Sequence, residues 1–265
     1  MSLIVCIPTF EEELNIKKCL IKLKWVKKIY LLDGNSKDKT IQIAKKFTNT
    51  KVIKLRKNID YTKKLNFLLN LNKNKWVFML DADYVLSNKI VKEIKEINFK
   101  NLEKQKIFGL KINIYNKIFK KVIKKNIYPK KILIFKNRKC YYKKIGHSEK
   151  LILNSEIKIL KGHINHENFN DVLNFSKWKK NQYKYSINEG YKICNQKISK
   201  LRPQDFIRRF PPLNILFLLL FLIFFKKIFW YGKAGTFYLF QRLFYETVLS
   251  FSIIKNYIKI IKIKN

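Results

Sequence analysis

Two aspartates, Asp81 and Asp83, stand two residues apart at the end of the apolar run Trp76-Val77-Phe78-Met79-Leu80. A continuous run rich in strand-favouring residues reads as a strand covered on both faces in a parallel sheet. In extended backbone the Asp-x-Asp spacing turns both carboxylates to one side, at the carboxyl edge where open α/β sheets take their ligands. Two anions held that close need a counter-charge. A hard divalent cation, Mg2+ or Mn2+, bridging them to phosphate oxygens would supply it. Without further context the same residues are a solvated turn after a strand.

The elements that must hold this pair come before it. Leu3 to Ile7 is a strand ending at Pro8-Thr9, and Glu11, Glu12 and Glu13 follow, placed to complement the dipole in the first turn of a helix through Ile16, Cys19, Leu20 and Leu23. Ile29 to Leu32 is a second strand that stops at the turn-forming Asp33-Gly34-Asn35-Ser36, with Ser36 or Asp38 available to cap the helix after it. Val52 to Leu55 and Lys63 to Leu71 add a third strand and a third helix. The alternation of strand and helix predicts an α/β domain, a mostly parallel sheet with helices on both faces, Rossmann-like in its nucleotide-binding half.

Composition sets the outer bounds. The chain has 265 residues, 47% of them apolar, which excludes wholesale disorder, and a formal net charge of +40. Lys, Ile and Asn recur even at plainly solvated positions, so part of that charge reflects composition alone. Such a surface attracts anions generally, whether nucleic acid, anionic lipid or phosphorylated glycan. Cys6, Cys19, Cys140 and Cys194 show no metal-binding spacing and read as reduced thiols, two of them in the core. The short apolar start, with no basic residues ahead of it, reads as a first strand and not as an export signal, which predicts a cytoplasmic protein.

The runs from Ile7 to Ile16 and Leu31 to Thr40, then Lys64-Leu65-Asn66 and Leu80-Asp81-Ala82-Asp83, resemble in order and spacing the family-two glycosyltransferases of the A-type fold. The resemblance covers residues 1–100 strongly. It continues more weakly in Gly146-His147-Ser148-Glu149-Lys150-Leu151, in His166 and in Gly232-Lys233-Ala234-Gly235, which look like the branch acting on lipopolysaccharide core sugars. Glu11 stands where the family usually has Asn, and His-Ser-Glu replaces its more usual His-Glu pair.

That resemblance implies a nucleoside-diphosphate sugar as donor, with a preference for uridine, and transfer by a single displacement that inverts the anomeric carbon. It implies that Thr9, Glu11 and Asp33 line the nucleoside site, with Glu12 a close second to Glu11, and that Lys64 faces the diphosphate. Asp83 becomes the leading metal ligand, with Asp81 nearer the ribose or holding a metal-bound water. His166 would complete the cation's coordination or touch phosphate. Glu149 is the expected base for the acceptor hydroxyl, and His147 the second candidate. His163 and His166 lack the further ligands a zinc site needs. Each assignment competes with an ordinary structural role: a helix cap for the glutamates, a surface ion pair for Glu149, a hydrogen-bonded fold position for His166.

After His166 a helical pattern carries Val172, Leu173, Phe175, Trp178, Tyr183 and Tyr185, and prolines break the chain between Pro203 and Pro212. Leu213 to Phe225 is almost wholly apolar but shorter than the roughly 20 residues that span a bilayer. An amphipathic helix from Ala234 to Ile254 and a basic tail from Tyr257 follow. The expected organisation is a catalytic domain over residues 1–200, divided into a nucleotide-sugar half 1–100 and an acceptor half 101–200, then a membrane-associating segment 201–265 with C-terminal apolar and amphipathic helices. Placement on the inner face of the cytoplasmic membrane, a glycan or lipid-linked acceptor such as a lipopolysaccharide core, and no specific nucleic-acid partner are the matching expectations. Transfer to a polyprenyl phosphate suits the apolar tail but leaves Gly-His-Ser-Glu unused. A non-enzymatic basic module for nucleic acid or membrane explains the charge and leaves the carboxylates at successive strand ends as coincidence.

Overall fold

The computed structural model describes residues 3–57, 59–146, 148–167, 174–211 and 213–264. Its contacts gather the chain into two compact units. The first is Met1–Lys117, Ile127–Lys143 and Lys150–Asn170, and the second is Ile118–Asn126, Lys144–Glu149 and Asp171–Asn265.

The chain opens with β1 (Leu3–Thr9), α1 (Ile16–Ile21), β2 (Lys28–Asp33), α2 (Thr40–Ala44), β3 (Thr50–Lys54), α3 (Tyr61–Asn70) and β4 (Trp76–Met79). Then come β5 (Tyr84–Leu86), α4 (Asn88–Lys95), α5 (Phe99–Lys104), β6 (Ile107–Ile118), β7 (Lys121–Ile123), β8 (Lys131–Lys136), the ribbon β9 (Tyr141–Ile145) and β10 (Ser148–Ile152), and β11 (Glu156–His166). The main sheet runs β3-β2-β1-β4-β8-β6-β11-β5. β3, β2, β1 and β4 are parallel, β8 runs antiparallel between β4 and β6, and β11 is parallel to β6 but antiparallel to β5. This is the expected α/β architecture.

β1 shows why the sheet must be covered twice, since all of its residues are buried. Val5 and Ile7 face Ile16, Cys19 and Leu20 of α1, Ala44 of α2 and Ile90 of α4, while Ile4 and Cys6 face Leu65, Leu68 and Leu69 of α3. Each large apolar side chain removed from water this way contributes about 1.5–3 kcal/mol before ordering costs. Cys6 and Cys19 are buried within these layers, and all four cysteines are free.

Two local expectations are corrected. Glu11, Glu12 and Glu13 do not begin a helix, because α1 starts at Ile16 with no acidic residue in its first turn. Glu11 has a positive φ of 55°, and the N–H groups of Glu11, Glu12 and Glu13 donate to Ser36 Oγ, Thr40 Oγ1 and Asp38 Oδ2. Side chains from the next loop thus satisfy backbone donors that a helix would leave open. The second correction concerns Asp81 and Asp83. β4 ends at Met79 and the chain turns, with Tyr84 N–H donating to Asp81 O, so extended-strand geometry does not set the directions of the two carboxylates.

In the second unit lie α6 (Phe175–Asn195), α7 (Pro203–Ile207), α8 (Leu213–Leu220), a π-helical turn (Phe221–Phe225), a 3-10 turn (Ile228–Tyr231) and α9 (Lys233–Lys264). Val172 and Leu173 lie outside the described residues, and α9 continues through the stretch expected to form a separate tail. Ile193 of α6 packs with Tyr245, Leu249 and Ile253 of α9. Buried charges are paired here: Arg208 bridges Asp205 and Glu246, and Arg202 and Lys192 reach Glu189 and Asp205. Gly232 has φ +57°, and a Cβ on Gly235 would lie 2.0 Å from the carbonyl oxygen of Ile228. The glycines of Gly-Lys-Ala-Gly are therefore required by the tight entry into α9. Among the described residues no helix is long and apolar enough to cross a membrane.

Candidate active site at the carboxyl edge of the sheet

β2, β1 and β4 are neighbours and parallel, so their carboxyl ends share one edge of the first unit. Thr9 and Asp33 are register partners at the ends of β1 and β2, and Gly34 N–H donates to Thr9 O at 2.9 Å. Asp33 is fully buried and accepts from Ser36 N–H at 2.9 Å and Ser36 Oγ at 2.5 Å. Thr9 Oγ1 is buried with no hydrogen-bond partner. From α3, Lys64 points its ammonium at Thr9 O, 3.5 Å away, and over the Phe10 ring. Burial pulls the Lys64 ammonium below its usual pKa, a shift the Asp33 carboxylate partly offsets.

The aspartates after β4 have separate partners. Asp81 Oδ1 accepts from the Tyr61 hydroxyl. Tyr61 lies three residues before Lys64, so both side chains share the face of α3 that looks at this edge. Asp83 Oδ2 lies 2.9 Å from His166 Nε2, because antiparallel pairing of β11 with β5 puts His166 opposite Tyr84. The chain just beyond closes the same corner, with Glu167 N–H donating to Asp83 O at 3.0 Å and the Glu167 carboxylate meeting Lys117 at 2.6 Å.

A shell of aromatic and basic groups surrounds His166. The rings of Tyr84 and Tyr128 stand edge-on to it at 5.6 and 5.7 Å, and Lys131 donates to the Tyr84 hydroxyl at 3.2 Å. Burial pushes the Asp83 carboxyl up, but the charge and hydrogen bond of His166, with Lys131, hold it on balance below its usual range. Lys131 also draws the Tyr128 phenol down against the opposing effect of burial, whereas burial and neighbouring negative groups drive Tyr84 far up.

Among the described residues no three His, Cys, Asp or Glu side chains form a cluster that would hold a metal ion by themselves. A cation that binds partly through substrate phosphates needs only one or two protein carboxylates. Asp83 Oδ1 is buried and has no hydrogen-bond partner, an orphaned anionic oxygen that suits such an ion.

The structure thus brings Thr9, Asp33 and Lys64 together and joins Asp83 to His166, while Asp81 pairs with Tyr61. Glu11 and Glu12 sit in the loop pinned to the start of α2. Glu149 lies half-buried on β10 in the second unit, and His147 lies outside the described residues. Tyr61, Tyr84, Tyr128, Lys131 and Glu167 were not anticipated. Tyr61 was within reach, because one helical turn separates it from Lys64. Lys131 and Tyr128 arrive beside β4 through the antiparallel insertion of β8, which no local pattern announces.

The edge carrying Asp33, Asp81 and Asp83 lies at the carboxyl ends of parallel strands, where open α/β sheets take their ligands. The sequence pattern of glycosyl transferase family 2 matches residues 4–143, and the chain belongs to that family. No curated protein matches it significantly. Among solved structures, the mannosyltransferase PcManGT from Pyrobaculum calidifontis, in complex with GDP-Man and Mn2+, is 10% identical, with 96% of this chain and 87% of that one covered and a TM-score of 0.55. TarS residues 1–349 from S. aureus are 15% identical over 94% of this chain and 90% of that one, with a TM-score of 0.46. Glucosyl-3-phosphoglycerate synthase from Mycobacterium tuberculosis, with Mn2+, UDP and phosphoglyceric acid, is 16% identical over 43% of each chain, with a TM-score of 0.35. The mannosyltransferase carries the fold comparison, and at that identity it establishes the GT-A fold alone.

Proposed function

We propose that this protein transfers a sugar from a nucleoside-diphosphate sugar, a uridine diphosphate donor first, to a hydroxyl of a membrane-held glycan such as a lipopolysaccharide core, with inversion. The observation that carries this is the Asp83–His166 pair, with an orphaned Asp83 oxygen, at the same strand edge as buried Asp33 and Thr9.

Thr9, Asp33 and Glu11, or Glu12 beside it, hold the nucleoside by accepting hydrogen bonds from base N–H and ribose hydroxyls. Lys64 places positive charge near the diphosphate, and Tyr61 fixes the Asp81 carboxylate toward the ribose. Asp83 and His166, with Asp81, are the residues that would hold Mg2+ or Mn2+. The chemistry such an ion supplies when bound is charge neutralisation at the leaving diphosphate. In the displacement the acceptor oxygen bonds to the anomeric carbon as the bond from that carbon to phosphate breaks. The diphosphate leaves with the electron pair. The acceptor proton passes to Glu149, or to His147 as the second candidate. An enzyme serving a lipid-held acceptor would work at the cytoplasmic face of the membrane, bound peripherally.

Thermal unfolding against a panel of nucleoside diphosphates, with and without Mn2+, tests this, since a ligand bound only by the folded state raises its stability. The crystallised complex of the mannosyltransferase keeps guanosine diphosphate in the panel. A Mn2+-dependent rise with one nucleotide, absent in Asp83→Ala, is the expected result. No rise with any nucleotide, beside a clear rise with DNA or anionic lipid, would make the chain a basic binding module instead.

A further inference from the structure

We propose that the second unit docks on an anionic phospholipid bilayer through the exposed face of α8 and the turns after it, with those side chains inserted among the headgroups. This deepens the membrane-held acceptor proposed above and rests on that reading only for its purpose.

Leu213, Leu216, Phe217, Leu220 and Phe224 recur at intervals of three and four, so they form one stripe along α8 and the π-helical turn. All are exposed, and the turns beyond are more so: Phe225 at 77% and Trp230 at 82%. The opposite side is fixed inward. Buried Asn214 donates to Glu246 Oε2 at 3.3 Å and Ser250 Oγ at 3.1 Å on α9, and Leu222 and Ile228 are fully buried. This network determines which face of α8 is presented, so the exposed stripe is held by buried contacts.

The charged residues that flank the stripe along the chain are basic. No acidic residue occurs between Asp205 and Glu246, and Lys226, Lys227 and Lys233 flank the turns. The segment Ile118–Asn126 of the same unit adds Lys120, Lys121, Lys124 and Lys125 and again no acid. It lies against this turn: Lys125 N–H donates to the Tyr231 hydroxyl at 3.3 Å, and Lys121 Nζ stands 6.0 Å from that ring's centre. Phe and Leu in a stripe, Trp at the tip and lysines around it match hydrocarbon, interface and anionic headgroups in turn. The stripe offers no polar side chain along its length to fix the orientation of a protein partner, and a fluid apolar layer needs none. Because no described helix is both long and apolar enough to cross, the element lies in the interface.

The test uses the full chain with vesicles of phosphatidylglycerol and phosphatidylcholine in equal parts, and with phosphatidylcholine alone, and no sugar nucleotide. Of the four tryptophans, Trp76 and Trp178 are buried, Trp25 is partly buried against the core of the first unit, and Trp230 is exposed in the proposed face, so docking should blue-shift the emission in the wild type and not in Trp230→Phe. Phe225→Glu should weaken sedimentation with the anionic vesicles by about tenfold or more while leaving thermal stability and the nucleotide-induced rise unchanged. Vesicle binding that Phe225→Glu does not alter, or that salt abolishes with no emission change, would reduce the effect to adhesion of a basic chain and overturn the proposal. So would a concentration-dependent dimer in light scattering that the same substitution dissociates, because a second copy would then own the face. Docking and nucleotide binding are read separately. Docking without any nucleotide effect would sink the transferase and spare this surface, and the reverse would sink only the surface.

Discussion

Asp83 and His166 are separated by 83 positions in the chain, yet Asp83 Oδ2 and His166 Nε2 lie 2.9 Å apart at the end of β4. The pair is enclosed by Tyr84 and Tyr128 and backed by the Glu167 backbone. A histidine in that position either orients the carboxylate and shares its cation or merely fills the fold. His166→Ala separates the two. As part of the site it should lower kcat/KM by about 10- to 100-fold and raise the Mn2+ concentration needed for half-maximal rate. Unchanged metal dependence in steady-state kinetics, with only a lower Tm, would leave His166 a structural residue.

Tyr61→Phe removes the hydroxyl that donates to Asp81 and keeps the ring. A hydrogen bond to a charged group contributes about 1.5–3 kcal/mol, so the donor KM should rise roughly 10-fold or more with kcat nearly constant. Initial-rate measurements over a range of donor concentrations check the split. A fall in kcat at constant KM would place Asp81 nearer the reacting centre than the ribose.

Three glycines should rank by what surrounds them. A Cβ on Gly235 would meet the Ile228 carbonyl oxygen at 2.0 Å, and one on Gly162 would meet Ile90 Cα at 2.6 Å, both backbone atoms that cannot step aside. At Gly232 nothing lies within 4 Å and only the positive φ of 57° resists a side chain. Gly235→Ala and Gly162→Ala should each cost about 1–3 kcal/mol or more, and Gly232→Ala about 1 kcal/mol. Urea midpoints at constant m give the order, and equal costs at all three would contradict the packing described.

Acid should destabilise the first unit partly through Glu103. Its carboxylate accepts from Lys136 Nζ at 2.8 Å and Trp76 Nε1 at 2.7 Å. Burial pushes the group up, but those hydrogen bonds and the charges of Lys136 and Arg138 bring it on balance below its usual range. The folded chain then holds fewer protons on Glu103 than the unfolded chain over the interval between the two pKa values. The stabilisation is complete above the ordinary glutamate value near pH ~4.3 and is lost as pH falls through the lower folded value. Urea midpoints should drop between about pH 5 and 3, and Glu103→Gln should flatten that drop. An identical slope in the variant would exclude Glu103 as a source.

Much of the site's scaffold was legible in the chain. Unbroken apolar runs at Leu3 and Trp76 specify strands buried on both faces, and the alternation of such runs with amphipathic segments specifies a parallel sheet. Once that much is given, Thr9, Asp33, Asp81 and Asp83 must come to one edge, because parallel neighbours end on the same side. The ordered motifs that place the chain in its family report the same geometry.

Local pattern could not decide what meets at that edge. Glu11 to Glu13 looked like a helix start, but side chains from the loop after β2 capture their N–H groups first. Asp81 and Asp83 looked like a pair on one strand, but the chain turns at Leu80, and Tyr61 and His166 take one each. A period of two tells a strand's faces and not its neighbours. The register of β11 on β5 and the antiparallel insertion of β8 brought His166, Tyr128 and Lys131 around Asp83. The sequence by itself thus determined which strand ends carry the carboxylates. Only the tertiary structure decided which side chains surround them, because strand pairing is a long-range choice among alternatives that local hydrophobic patterning leaves equal.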